Sequence, residues 1–222
     1  MFQIVRKKIF NVTVGIWLAF ALSSALFILF PEIDIAVSAL FYDDGFYLKG
    51  SPYEVFFYKS VPVLLTLLAV GSIAVYIYNR IYKREILGLN SRKIIYIILV
   101  LALAPGLIVN ATLKENWGRE RPTKIQEFGG KDRFTPAFVM SNQGGDSFSS
   151  GHGSAAFSLL GFALLMRKRR ELWIALALSY GVAVSYARII AGGHYLSDNV
   201  VSFFIVYITT HMLYHFIIEK ES

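Results

Sequence analysis

Six stretches of the chain contain no Asp, Glu, Lys or Arg: 9–30, 60–78, 94–113, 151–166, 172–187 and 199–218. They hold 22, 19, 20, 16, 16 and 20 residues, 113 of the 222 in the chain. A helix rises about 1.5 Å per residue and crosses a bilayer in roughly 20 apolar residues. The spacing therefore predicts an all-α membrane protein of six transmembrane helices, joined as one domain over 1–222. Such a supply of apolar runs excludes a soluble globular domain, a disordered chain and a secreted disulfide scaffold. The first run is longer than a signal-peptide core, and Glu32 and Asp34 follow it, so it reads as a retained anchor.

The connections add detail. The first, 31–54, is acidic and aromatic (Phe41, Tyr42, Phe46, Tyr47, Tyr53), which predicts a membrane-lying segment at headgroup depth. Pro105-Gly106 is expected to bend the third helix. The longest polar segment, 114–150, mixes Gly, Asn, Asp and Pro with charges of both signs, as functional loops do.

Charge then orients the helices. The chain carries a formal +7 and no cysteine, which removes thiolate metal sites and cysteine nucleophiles. The two ends and the connections after the second and fourth runs hold 13 of the 22 basic residues but only four acids, a net +9. The remaining segments are net −2. Basic residues favour the cytoplasmic side, so both termini are expected inside a multi-pass inner membrane protein. The excess charge is thus a topology signal, and no nucleic-acid partner is expected. The Arg167–Arg170 run belongs to this signal and suits contact with anionic headgroups. His211 and His215 are four apart but have no third ligand nearby in sequence, so no metal site is assigned to them.

Three polar clusters fall on the predicted outer side. In 114–122, Lys114 and Arg121 are seven apart, which on a helix would put both on one face, with Pro122 ending it. Two cations there, one able to donate a fork of hydrogen bonds, suit a phosphate, although snorkelling cations would look the same. In 147–153, Ser150, Gly151 and His152 open a helix whose unpaired N–H groups favour an anion, or simply cap it. In 188–198, Arg188 precedes the Gly192-Gly193 turn, and His194 and Asp198 are spaced i, i+4. On one helix face, Asp198 would accept one ring N–H and leave the other nitrogen free to attack. A buried His–Asp pair holding helices together is the structural alternative.

Together, Lys-x6-Arg-Pro, Ser-Gly-His and Arg-x5-His-x3-Asp resemble the type 2 phosphatidic acid phosphatase (PAP2) superfamily. Asn116-Trp117-Gly118-Arg119, Phe128-Gly129-Gly130 and Gly-Gly-His-Tyr-Leu-Ser-Asp are most similar to its bacterial lipid A phosphatases. The resemblance implies a chloroperoxidase-type helical bundle and a phosphatase with no cofactor and no metal. By it, His194 is the nucleophile that becomes a phosphohistidine, Asp198 orients it, and His152 protonates the leaving group. Lys114, Arg121, Ser150, Gly151 and Arg188 would hold the phosphate oxygens. Two positions depart from the usual motifs: Ser149 stands where Pro is common, and Ala187 where Ser is common. Neither change removes an acid, base or cation.

The implied partner is a phosphorylated membrane lipid, met in the bilayer at the periplasmic face. Candidate substrates, in order, are lipid A, undecaprenyl pyrophosphate, and phosphatidylglycerol phosphate or phosphatidic acid. Transfer of the phosphate to an alcohol instead of water uses the same motifs. A small anion or lipid transporter is the reading from another class, but the ionisable residues gather at one face and no inverted repeat accompanies them.

Overall fold

A computed structural model of the protein describes residues 7–219. Arg6 and Lys220, which enter the charge argument, lie outside the described residues. A two-stranded antiparallel ribbon (β1, Lys8–Ile9; β2, Val12–Thr13) leads into α1 (Val14–Leu29). The helix stops before Pro31, and α2 (Glu32–Ala39) leaves it at 85°.

Next comes α3 (Pro52–Tyr82), 31 residues long. Ser51 caps it by accepting the Glu54 N–H, Pro52 occupies the first turn, and Lys83 closes it in the left-handed conformation. Its start lies well before the expected residue 60, because Glu54 and Lys59 are carried inside the helix. Asn90 caps α4 (Ser91–Lys114) by accepting the Lys93 N–H at 3.1 Å. From Ala102 onward α4 takes π-helical winding around Pro105, whose ring removes a backbone donor. The Pro105 carbonyl accepts the Asn110 side-chain amide at 2.6 Å.

The fourth apolar run forms two short helices, α5 (Gly151–Phe157) and α6 (Leu159–Leu164), separated at Ser158. The Ser158 hydroxyl donates to the Ala155 carbonyl at 2.6 Å, competing with the helical ladder. Both are enclosed by α4, α7 (Arg170–Ile190) and α8 (Leu196–Tyr214, prolonged by a π turn, His215–Glu219). All six α6 residues are buried.

Among the described residues, four helices are long and apolar enough to cross a membrane, and the bent α1–α2 pair makes up to five. The remaining expected span is the fourth run, whose two helices are each shorter than a membrane-crossing helix, so length and composition do not by themselves give six. Outward-facing Leu22, Leu29, Phe56, Val63, Leu67 and Val70 are mostly exposed, as befits helices solvated by lipid. The core runs from Tyr96, Ile97 and Val100 of α4 through Leu159 and Phe162 to Ala177 of α7.

Candidate active site

The clusters distant in sequence close on one end of this bundle. Lys114 is the last residue of α4, and the chain then leaves the helix, so Arg121 has extended backbone (φ −78°, ψ 155°). The two cations do not share a helix face, as the spacing suggested. They meet through Asp146: Arg121 forms a two-pronged pair with its carboxylate at 2.7 Å each, and Lys114 Nζ stands 3.6 Å from it. The half-exposed Asp146 carboxylate resists protonation. Burial pushes the Asp146 carboxyl up, but the Arg121 hydrogen bonds and charge, with help from Lys114, hold it below its ordinary range. A cavity of about 570 Å³ opens beside Lys114 and Asp146, lined also by Asn110, Asn116 and Ser141.

Ser150 caps α5, its hydroxyl accepting the Gly153 N–H at 3.1 Å, so Gly151 and His152 form the first turn. The His152 ring stacks on Tyr58 of α3, centroids 4.3 Å apart and planes 20° apart. Above the same Tyr58 ring lies the Arg188 guanidinium, 4.8 Å from its centroid. Arg188 is 7% exposed, and its Nη1 reaches Glu54 Oε1 at 3.3 Å, while its buried Nε has no hydrogen-bond partner among the described residues. Gly192, at φ +62°, turns the chain, and Gly193 leaves room for the Arg188 guanidinium where a side chain would collide.

That turn also places His194 before α8 instead of on it, which corrects the expected shared helix face. Its Nδ1 lies 2.8 Å from the Ser147 carbonyl, whereas Asp198 Oδ2 is 3.6 Å away. A carbonyl only accepts, so Nδ1 carries the proton and Nε2 keeps its lone pair. Burial pushes the His194 imidazole below its ordinary range, against the opposing pull of Asp198. Asp198, in the first turn of α8, is itself held from three sides. It accepts the Ser147 hydroxyl at 2.6 Å, the Tyr195 N–H at 2.9 Å and the Arg119 guanidinium at 2.6 Å. It therefore organises the Ser147 segment whose carbonyl grips His194.

Sequence reasoning gave Arg119 no role, yet it is fully buried. It joins Asp198 to Asp34 of α2 (2.8 Å), donates to Ser197 and the Thr135 carbonyl, and stacks on Tyr195 at 4.1 Å. Burial opposes its charge, but Asp198 and then Asp34 outweigh that and hold it above its ordinary value. Its one signal was a third cation two places before Arg121. Glu54, Tyr58 and Asp146 had none, since their partners are remote in sequence. The charges of Arg188, His194, Lys114 and Arg121 all act on His152, so the predicted cations and both histidines form one cluster. Such a cluster of cations and imidazoles has the charge to neutralise an anion. Among the described residues, no group of three or more His, Asp or Glu side chains is placed to hold a metal ion.

The profile of the PAP2 superfamily matches residues 95–221. A protein named lipid A 4′-phosphatase from Francisella tularensis subsp. novicida is 29% identical to the chain, covering 96% of it and 98% of the relative. Proteins of the same name from Rhizobium leguminosarum and Rhizobium etli are each 30% identical, covering 83% and 78% of the chain and 86% and 75% of the relatives. No solved structure matches the chain.

Proposed function

The chain belongs to the PAP2 superfamily, and we propose that it removes the 4′-phosphate of lipid A through a phosphohistidine, on the periplasmic side of the bacterial inner membrane. It is a phosphatase of membrane lipids, a phosphoric monoester hydrolase, by its family and its relatives. The choice of lipid A and of the 4′ position rests on the names of those relatives. The periplasmic face rests on the basic ends of the helices remote from the site.

The observation that carries the mechanism is the Nδ1–H of His194 held on the Ser147 carbonyl at 2.8 Å. It fixes the tautomer in which Nε2 attacks phosphorus. As the Nε2–P bond forms, the P–O bond to the sugar breaks, and His152 gives its proton to the departing oxygen. Water then attacks the phosphohistidine, losing its proton to His152, and the N–P bond returns its electrons to Nε2. Lys114, Arg121 and Arg188, with the Gly151 N–H and the Ser150 side chain at the start of α5, neutralise the phosphoryl oxygens, the Ser150 N–H being given to the Asp198 carbonyl at 3.3 Å. The Asp146 carboxylate sits on two of these cations and leaves when phosphate arrives. No step requires a metal.

The test is phosphate release from lipid A by the purified chain in EDTA, beside undecaprenyl pyrophosphate and phosphatidylglycerol phosphate. Lipid A is expected to be turned over by wild type and not by His194→Ala. Preference for another lipid overturns the substrate, and an active His194→Ala overturns the nucleophile.

A further inference from the structure

The cavity of about 570 Å³ beside Lys114 and Asp146 exceeds what a phosphate fills, and its remaining walls carry different chemistry. They are formed by Asn110, Glu115, Asn116, Ser141 and Asn142, with the backbone of three glycines. Among the described residues, no aliphatic or aromatic side chain lines the cavity, so it does not suit an acyl chain. Its charged side chains are one cation and two acids, which opposes a second phosphate as well. What remains is a neutral group rich in hydroxyls or amides.

Hydrogen bonding leads to the same class of ligand. Ser141 Oγ accepts the Gln143 N–H at 3.2 Å and the Gln143 side-chain amide at 3.1 Å, which leaves its own proton to donate. The Asn116 amide gives one N–H to the Thr112 carbonyl at 2.7 Å and has a second N–H and an oxygen besides. Asn142 is exposed at the rim. Asn110 Oδ1 lies 2.7 Å from where a Cβ of Gly151 would stand, so the pocket adjoins the first turn of α5. Backbone contact holds the walls together: the Ser141 N–H donates to the Trp117 carbonyl at 2.8 Å and the Gly145 N–H to the Gly118 carbonyl at 3.1 Å. A side chain at Gly118 (φ +70°) would collide with the Ser141 carbonyl and part them. Groups that both donate and accept, fixed to one side of a phosphate site, match the hydroxyls of a sugar ring, which do the same.

We propose that this pocket is a sugar subsite, in which Asn116, Ser141 and Asn142 hold the ring hydroxyls of a pyranose whose phosphate ester lies on Lys114 and Arg121. The subsite rests on the phosphate-holding role given to those two cations above. It makes the end of α4 and the 141–146 turn the place where a sugar-borne phosphate is told from a glycerol-borne one.

The test is calorimetric titration of the full chain in detergent with three phosphonates, whose P–C bonds resist hydrolysis. They are methylphosphonate, 3,4-dihydroxybutylphosphonate and a glucopyranose bearing a methylenephosphonate on its fourth carbon. The glucopyranose ligand is expected to bind about tenfold more tightly than methylphosphonate, the yield of about two added hydrogen bonds. In Asn116→Ala/Asn142→Ala that advantage should fall to about twofold or less, with the affinity for methylphosphonate unchanged. Both side chains are exposed, and if the pair is destabilised, Asn142→Ala alone carries the comparison with a loss of about threefold. Equal affinities for the glucopyranose and methyl ligands, or an advantage kept by the double variant, overturn the subsite. An equal gain with the dihydroxybutyl ligand overturns the sugar. Binding of none of the three overturns the phosphate role of Lys114 and Arg121, and the subsite with it. Lys114→Gln/Arg121→Gln, expected to weaken all three ligands alike, reports on that role separately.

Discussion

Asp198 Oδ1 and Arg119 Nη1 lie 2.6 Å apart, and neither side chain reaches solvent. The guanidinium also pairs with Asp34 at 2.8 Å, so one buried cation answers two buried carboxylates. Removing it strands both, and breaking a buried pair costs about 3–5 kcal/mol. Arg119→Ala is therefore expected to lower the unfolding midpoint strongly, with Arg119→Ala/Asp34→Asn recovering part of the loss. A melt of Arg119→Ala that matches wild type disproves this account.

Asp146 occupies the two cations that would otherwise hold phosphate, so it competes with substrate. The pair is partly exposed, which limits its worth to roughly 0.4–1 kcal/mol, or about 2–5-fold in affinity. Asp146→Asn is expected to tighten inhibition by inorganic phosphate by that factor. Because Arg121 holds the carboxyl below its ordinary range, the difference from wild type should persist through mildly acidic pH. Weaker inhibition in Asp146→Asn assigns the carboxylate a supporting role in binding instead.

The local features were legible and the remote ones were not. Apolar runs located α1, α3, α4, α7 and α8, and Ser150 marked the start of α5, because periodicity and capping depend on neighbouring residues. Residue spacing misled where the chain leaves the helix. Gly192-Gly193 turns His194 off α8, so its grip comes from Ser147, 47 residues away. The expected Lys114–Arg121 face dissolves for the same reason, since both are gathered by Asp146. Composition did not reveal that the fourth run is broken at Ser158 and enclosed by its neighbours. Asp34 and Arg119, 85 apart, are joined only by tertiary packing.

Tyr58 supports His152 on one face and lies under Arg188. Its ring, not its hydroxyl, makes both contacts. Tyr58→Phe is expected to keep near-wild-type turnover, whereas Tyr58→Ala should lower kcat by about tenfold or more as the acid loses its orientation. Stopped assays at saturating lipid separate kcat from KM. Equal losses in the two variants point to the hydroxyl and disprove the stacking role.

The last prediction concerns acid. A nucleophilic His194 must be neutral, and protonation of Nε2 abolishes attack. Burial lowers its pKa from the usual 6.5, and Asp198 partly offsets that by favouring the charged ring. The acid limb of kcat/KM contributed by His194 is therefore expected below pH 6.5. Asp198→Asn removes the offset, so the limb should move to still lower pH, even as overall activity falls from loss of the Ser147 anchor. A positioning role alone would lower activity without moving the limb. Profiles of both forms between about pH 4 and 8 decide the matter: a limb that shifts upward in Asp198→Asn means that the carboxylate does not act on His194 through its charge.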